Sequence, residues 1–377
     1  KKTRWVLVST ALVSLIFFSG FGYYFWHTTD ARKISVSQRN IKTLAVLPFK
    51  NLNKTEEENS LSLGLTDSLI SRLGSLKRWK IRPFSAVEKF GNGKKDSLEF
   101  GKELKCDAVL VGTFQTSENR LYLNVRLLDV RDGTQIWTAN FDETEHDIFL
   151  LQSNLATEVA SSLLDKLSNS EEKLLGKDYT ENEEAYRAYL RGRTIFERRV
   201  DGAFQQILDD YQKAISLDPT FALAYTGLAD LFSRRGNSLT GAESREAYKK
   251  AKFYAQKALD LDGDLAEAYT SLARIKRIAD WDWEGAEKEF KKAIELDPNN
   301  AAALSWYAQL LSILGRHDEA FEMINRATDI DPISPSVTGI LFPIIEGRGE
   351  FQKGLELAEK AYLFDKENIN SRRSYAT

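Results

Sequence analysis

One cysteine, Cys106, and three histidines, His27, His146 and His317, are all that 377 residues supply of those two types. A single thiol excludes an internal disulfide framework and any cysteine-rich zinc site. No histidine sits in an HExxH pattern or beside a serine or cysteine nucleophile motif, so the common hydrolase signatures are missing. A dominant charge is missing too: 52 Lys and Arg face 55 Asp and Glu, for a net charge of −3. Nucleic-acid backbones are gripped by strongly basic surfaces, so this chain is not expected to bind them directly. Gly91–Lys95 reads GNGKK, but a phosphate-binding P-loop needs GxxxxGK followed by Ser or Thr. Asp262 and Asp264 flank a glycine without the further ligands of a calcium loop. Catalytic residues, cofactor and metal are all expected to be none.

What is present is a globular composition, 42% hydrophobic and 28% charged, at a length that suits two or three domains. The first conspicuous segment is Trp5–Trp26, 22 residues without a charge. As a helix it would extend about 33 Å, close to the roughly 30 Å hydrocarbon core of a bilayer. Aromatic residues mark both edges, as at membrane interfaces. A cleaved signal peptide is the competing interpretation, but the run lacks a small-x-small cleavage site. Residues 1–26 are therefore expected to be a transmembrane helix with a short basic flank, and 27–40 a polar linker. Lys1, Lys2 and Arg4 favour a cytoplasmic amino side. The bulk of the chain would then lie periplasmic to a bacterial inner membrane. Lys1 in place of Met suggests that more sequence precedes it.

Residues 41–167 read as a small α/β domain with a mixed sheet. Thr43–Phe49 is a β-branched, apolar strand, and a helical period follows at Leu61, Leu65, Leu69, Ile70 and Leu73. WKIRP suggests a second strand and Asp96–Leu104 a helix. Three strands then succeed one another, with alternating Leu121, Leu123, Val125 and Leu127 in the middle one. The turn at Asp132-Gly133 makes them an antiparallel meander. A helix over His146–Leu167 closes the domain. The stretches IKTLAVLPFKNL, GLTDSLISRLGSL, ELKCDAVLVGTFQ and LLDVRDGTQIWTANFDE, in that order, resemble the TolB-like amino-terminal domain. That resemblance implies a place between a membrane span and tetratricopeptide repeats in a bacterial signalling protein.

After a linker at 168–183, residues 184–377 repeat one helix end: YQKAISLDPTF, AQKALDLDGDL, FKKAIELDPNN and INRATDIDPIS. In register, Pro219, Gly263, Pro298 and Pro332 coincide, with intervals of 35 and 34 residues for the last two steps. That period marks a tetratricopeptide repeat, an all-α solenoid of stacked helix pairs. Ala214, Ala258, Ala293, Ala327 and Ala361 recur five residues before the stop, where a larger side chain would overpack the helix contact. Five units are expected: 184–219, 222–263, 266–298, 301–332 and 335–366. GNSLTGAESR reads as an exposed loop inserted in the second, and Pro343 as a kink in the fifth. In DWDW (Asp280–Trp283), packed tryptophans and an N-capping aspartate are expected rather than a carboxylate cluster.

Solenoids bind partners on their concave face. Projecting the register puts Asp230, Ser233, Thr270, Arg274, Arg277, Ser305 and Gln309 there, with Arg274 and Arg277 spaced to clamp a carboxylate; two ordinary solvated arginines are the alternative. A protein or peptide ligand is the expected partner, a homo-oligomer being left open. The order of span, TolB-like domain and repeats resembles the carboxyl-terminal part of membrane-anchored, CadC-like winged-helix regulators. It implies a non-catalytic sensor or interaction part of a transcriptional regulator. Two alternatives stand: the carboxyl-terminal half of a membrane-bound adenylate cyclase or serine/threonine kinase, and a free-standing membrane-anchored scaffold.

Overall fold

The structure is a computed structural model. It describes residues 40–53, 56–88, 90, 96–117, 120–144, 148–197, 200–332, 334–350, 352, 355, 356 and 359. The span expected at Trp5–Trp26 lies outside the described residues, as do GNGKK, His27, His146 and Ala361. Among the described residues no helix is long and apolar enough to cross a membrane.

The α/β domain is built on one mixed sheet. Its strands are β1 (Thr43–Val46), β2 (Lys50–Asn51), β3 (Lys80–Ile81), β4 (Ala108–Ser117), β5 (Arg120–Asp129) and β6 (Gln135–Thr144), in spatial order β3-β1-β4-β5-β6 with β2 beside β4. β1 pairs in parallel with β3 and β4, whereas β4, β5 and β6 form the expected antiparallel meander. Helices α1 (Glu56–Ser75) and α4 (Ile148–Leu163) cover one face. Leu65, Leu69, Leu73, Leu155 and Val159 pack there against Leu44, Leu110, Phe114 and Leu123. The short helices α2 (Phe84–Val87) and α3 (Ser97–Glu103) lie on the other face, over β1, the first half of β4 and the end of β5. Asp107 ties the first turn of the sheet together. Its carboxylate accepts from the backbone N–H of Lys42 and Thr43 and from the Thr43 hydroxyl.

The segment 168–183, expected as a linker, holds a helix, α5 (Asn169–Leu175). Ser168 and Glu171 close a capping box at its start. The segment is fastened to α1: buried Arg72 donates to the Asp178 carboxylate and the Leu175 carbonyl. Arg78 pairs with Glu171 at 2.8 Å.

The solenoid follows as helix pairs: α6 (Glu183–Glu197) with α7 (Phe204–Leu217), α8 (Ala222–Ser238) with α9 (Gly241–Leu261), α10 (Ala266–Ile275) with α11 (Trp283–Leu296), and α12 (Ala301–Ile313) with α13 (His317–Ile330). A further helix, α14 (Pro335–Gly347), continues through Pro343. The recurring alanines do what the register requires: Ala214, Ala258, Ala293 and Ala327 are fully buried at the contacts. Close approach also explains Gly227, where a Cβ would lie 2.6 Å from the Tyr211 ring. The insertion GNSLTGAESR is not an exposed loop. Extension of α8 to Ser238 and an early start of α9 at Gly241 absorb most of it. Helical hydrogen bonds satisfy backbone groups that a loop would leave to water. Tyr248 secures the extension by packing on Gly236 and donating to Asn237.

Candidate concave-face site

The third repeat is one residue longer than the fourth, and the structure shows where the extra residue goes. After Ile275 the chain opens into a π-helical turn, Lys276–Asp280, which ends at Trp281 with φ +57°. Such turns absorb a single insertion without breaking the helix. Here the turn brings Arg274 and Arg277 to the same aromatic ring. Their guanidinium carbons lie 4.7 and 5.5 Å from the ring centre of Trp306 on α12. Cation–π attraction of this kind contributes about 0.5–2 kcal/mol, the more so when water is excluded.

The two arginines differ in what else they meet. Asp230 on α8 accepts from Arg274 at 3.1 Å and from the Ser271 hydroxyl at 2.8 Å, so Arg274 is neutralised across the repeat boundary. Arg277 forms no ion pair with a carboxylate among the described residues. Burial and the neighbouring Arg274 charge pull its guanidinium down to about 10. The Nε atoms of both arginines and the Ser233 hydroxyl are buried without a hydrogen-bond partner. The site therefore holds one compensated cation, one uncompensated cation and an aromatic face.

Of the seven residues projected onto the groove, Asp230, Arg274, Arg277 and Gln309 retain partly exposed surface. Ser233, Thr270 and Ser305 are instead buried, at 1%, 6% and 2% exposure. Thr270 and Ser305 direct their hydroxyls to the carbonyls of Ala266 and Ala302 in their own helices. Helices in a solenoid pack so closely that a small polar residue one position off the groove crest falls into the seam. Trp306 and Ser271 were missed by projection. A tryptophan beside Ser305, off the apolar stripe of α12, was the available signal. DWDW is half as expected. Asp282 caps α11 by accepting from the Gly285 N–H, but Trp281 meets the Trp283 ring at 6.3 Å and is otherwise 73% exposed. Cys106 is buried, and burial pushes its thiol up, away from nucleophilic use.

The first repeat is different, because the α/β domain lies against it. Arg193 on α6 pairs with Asp67 on α1 at 2.8 Å and stands over the rings of Phe84 and Tyr189. Burial pushes the Asp67 carboxyl up, and Arg193 opposes the rise. The Tyr186 hydroxyl donates to the Gly64 carbonyl, and a Cβ on Gly64 would lie 2.6 Å from Leu190.

Comparison with known proteins divides the chain in the same way. Residues 39–158 match the family described as HilA/YgeH-like transcriptional regulator, second domain. Residues 210–242 and 289–322 match the tetratricopeptide repeat. Over 187 residues the chain is 25% identical to "Putative adenylate cyclase 3" of Rhizobium meliloti (strain 1021), covering 50% of this chain and 32% of that protein. Over 93 residues it is 31% identical to small glutamine-rich tetratricopeptide repeat-containing protein 2 of Mycosarcoma maydis, covering 25% of this chain and 26% of that protein. The chain thus spans about a third or less of the curated relatives it matches. Similar solved structures include YrrB, a tetratricopeptide-repeat protein with an unusual peptide-binding site, at 21% identity and a TM-score of 0.33 over 52% of this chain and 95% of YrrB. A thermophilic repeat protein of Thermus thermophilus matches at 16% identity and a TM-score of 0.43, over 51% of this chain and 97% of that one.

Proposed function

We propose that the chain is the non-catalytic, polypeptide-binding part of a membrane-anchored bacterial transcriptional regulator. Its ligand is an acidic segment of a protein or peptide, received on the concave face of repeats two to four. The effector is a DNA-reading domain joined before residue 1, and Trp5–Trp26 is the membrane anchor. The order of the mixed-sheet domain and the repeats supports this, as does the regulator family matched over 39–158. The anchor rests on the uncharged apolar run itself. Arg277 carries the ligand class. A partly buried guanidinium over Trp306 with no carboxylate of its own gains most from a ligand carboxylate, which offers a charge-assisted bond where water is scarce.

Calorimetric titration with deca-glutamate tests this. Binding is expected that weakens with salt and drops about tenfold or more in Arg277→Glu. Binding unchanged by that reversal removes the site. The similarity to a protein named adenylate cyclase favours one second reading, in which the effector before residue 1 is a cyclase domain. Cyclase activity of the intact protein that responds to groove variants would select it.

A further inference from the structure

The repeated helix end does more than stop each helix. The last carbonyls of an α-helix lack intrahelical partners and carry the negative end of its dipole. Stacking pairs with the same punctuation lines these ends along one edge of the solenoid. The structure shows polypeptide from residues 77–182 reaching every one of them in turn. Asn182 donates to the Leu217 carbonyl at the end of α7 at 3.2 Å, and Thr180 to the Asp218 carboxylate. Lys177 pairs with Asp262 after α9 at 2.8 Å. Lys77 donates to the Glu295 carbonyl of α11 at 3.2 Å, and Asn299 just beyond returns a bond to the Trp79 carbonyl at 3.1 Å. Buried Arg82 donates to the carbonyls of Asp329 and Ile330, the last of α13, at 2.8 Å for Ile330. Lys80 and Ser85 add bonds to Asp329 and Asp331.

We infer that the carbonyl edge of the solenoid is an interaction surface for the chain's own α/β domain, and that this contact sets the pitch of the groove. The domain is held at two ends. One is α1 against α6, through Asp67, Gly64 and Tyr186; the other is Lys77–Ser85 against the ends of α11 and α13. The repeats between those ends carry Asp230, Arg274, Arg277 and Trp306, drawn from three successive repeats. Their mutual placement depends on how far each helix pair is rotated on the next. A rigid body fixed to the first, third and fourth repeats fixes that rotation, and so preorganises the site. Linkage then requires the converse: a ligand that fits the site at this pitch tightens the hold on the α/β domain. The groove reports its occupancy to the domain that adjoins the expected membrane anchor. This coupling builds on the acidic-ligand proposal, whereas the edge contact stands without it.

Hydrogen exchange on the whole chain, with deca-glutamate as probe, tests both. Saturating peptide is expected to slow exchange at residues 77–85 as well as in the groove helix 266–280. Gly64→Leu raises the helix propensity of α1 but blocks its approach to α6. It is expected to speed exchange at 77–85 and 177–182, and in 266–280 without peptide. It should also weaken deca-glutamate about fivefold. If Gly64→Leu leaves residues 77–85 protected, the pair Lys77→Glu with Asn299→Ala attacks the other end. Unchanged protection in both variants overturns the edge contact. Undocking that leaves exchange in 266–280 and peptide affinity unaltered overturns the coupling. Failure of deca-glutamate to bind the parent chain removes the acidic-ligand reading alone, because the peptide-free exchange arm still decides the coupling.

Discussion

Arg193 stands on the first helix of the first repeat and Arg277 in the π-helical turn that follows the first helix of the third, and they meet opposite fates. The first repeat is closed by the chain itself: α1 brings Asp67 to Arg193, and the rings of Phe84 and Tyr189 stand beside the guanidinium. The third repeat is open, and Arg277 has a ring beneath it but no carboxylate beside it. One solenoid thus shows the same chemistry satisfied in one place and left open in another. A half-buried cation with a partner is structure; a half-buried cation without one is a site.

That contrast can be broken most directly by removing one side of each. Asp67→Ala takes the carboxylate from a partly buried Arg193, and should cost about 1–3 kcal/mol in urea unfolding. Arg277→Met removes a charge that no carboxylate compensates; relief of its burial and of Arg274 repulsion offsets the lost attraction to Trp306, and stability should stay within about 1 kcal/mol of the parent. Equal losses would mean that Arg277 has a structural partner after all. Next in size is the seam between the first two repeats. Gly227→Leu must displace the Tyr211 ring and should cost about 1–3 kcal/mol, whereas Gly64→Ala need move only the flexible end of Leu190.

Acid titration sharpens the comparison further along the solenoid. Burial resists ionisation of Glu287, but bonds from Lys291, Tyr307 and Arg316 outweigh it and bring the carboxyl down to about 2. A carboxyl lowered in the folded state stabilises the fold above its unfolded value of about 4.3, and that contribution fades as pH falls toward 2. Glu287→Gln should therefore be less stable than the parent at pH 6 by about 1–2 kcal/mol. The gap should close between about pH 4.5 and 2, as followed by chemical unfolding at each pH. The smallest effect belongs to Trp281. Its left-handed backbone disfavours a bulky side chain, and the side chain buries little. Trp281→Asn should match or exceed the parent by up to about 1 kcal/mol.

Much of this molecule is legible residue by residue. The alternation Leu121, Leu123, Val125, Leu127 marks the buried face of β5 because a strand's side chains point to opposite faces in turn. The interval between Pro298 and Pro332 marks a repeat because one helix pair must match the next to stack. The misses share a cause. The capping box of α5 was written in Ser168 and Glu171, yet short helices between domains take their support from elsewhere, here Arg72 and Arg78. Ser233, Thr270 and Ser305 had the right register for the groove and the wrong depth, which depends on how nearly adjacent helices approach. GNSLTGAESR looked like a loop because insertions usually are, but helix extension carried it once Tyr248 could cover Gly236.

By itself the sequence determined the local periods: a mixed-sheet domain, a solenoid of 34-residue units, small residues where helices touch, and a pair of arginines one turn apart. Those follow from backbone geometry and side-chain size, which each residue carries with it. Tertiary structure alone decided which arginine found a carboxylate, and which helix ends met a donor from residues 77–182. Such pairings join positions far apart along the chain. Their energy depends on burial and distance, and neither exists until the chain has folded.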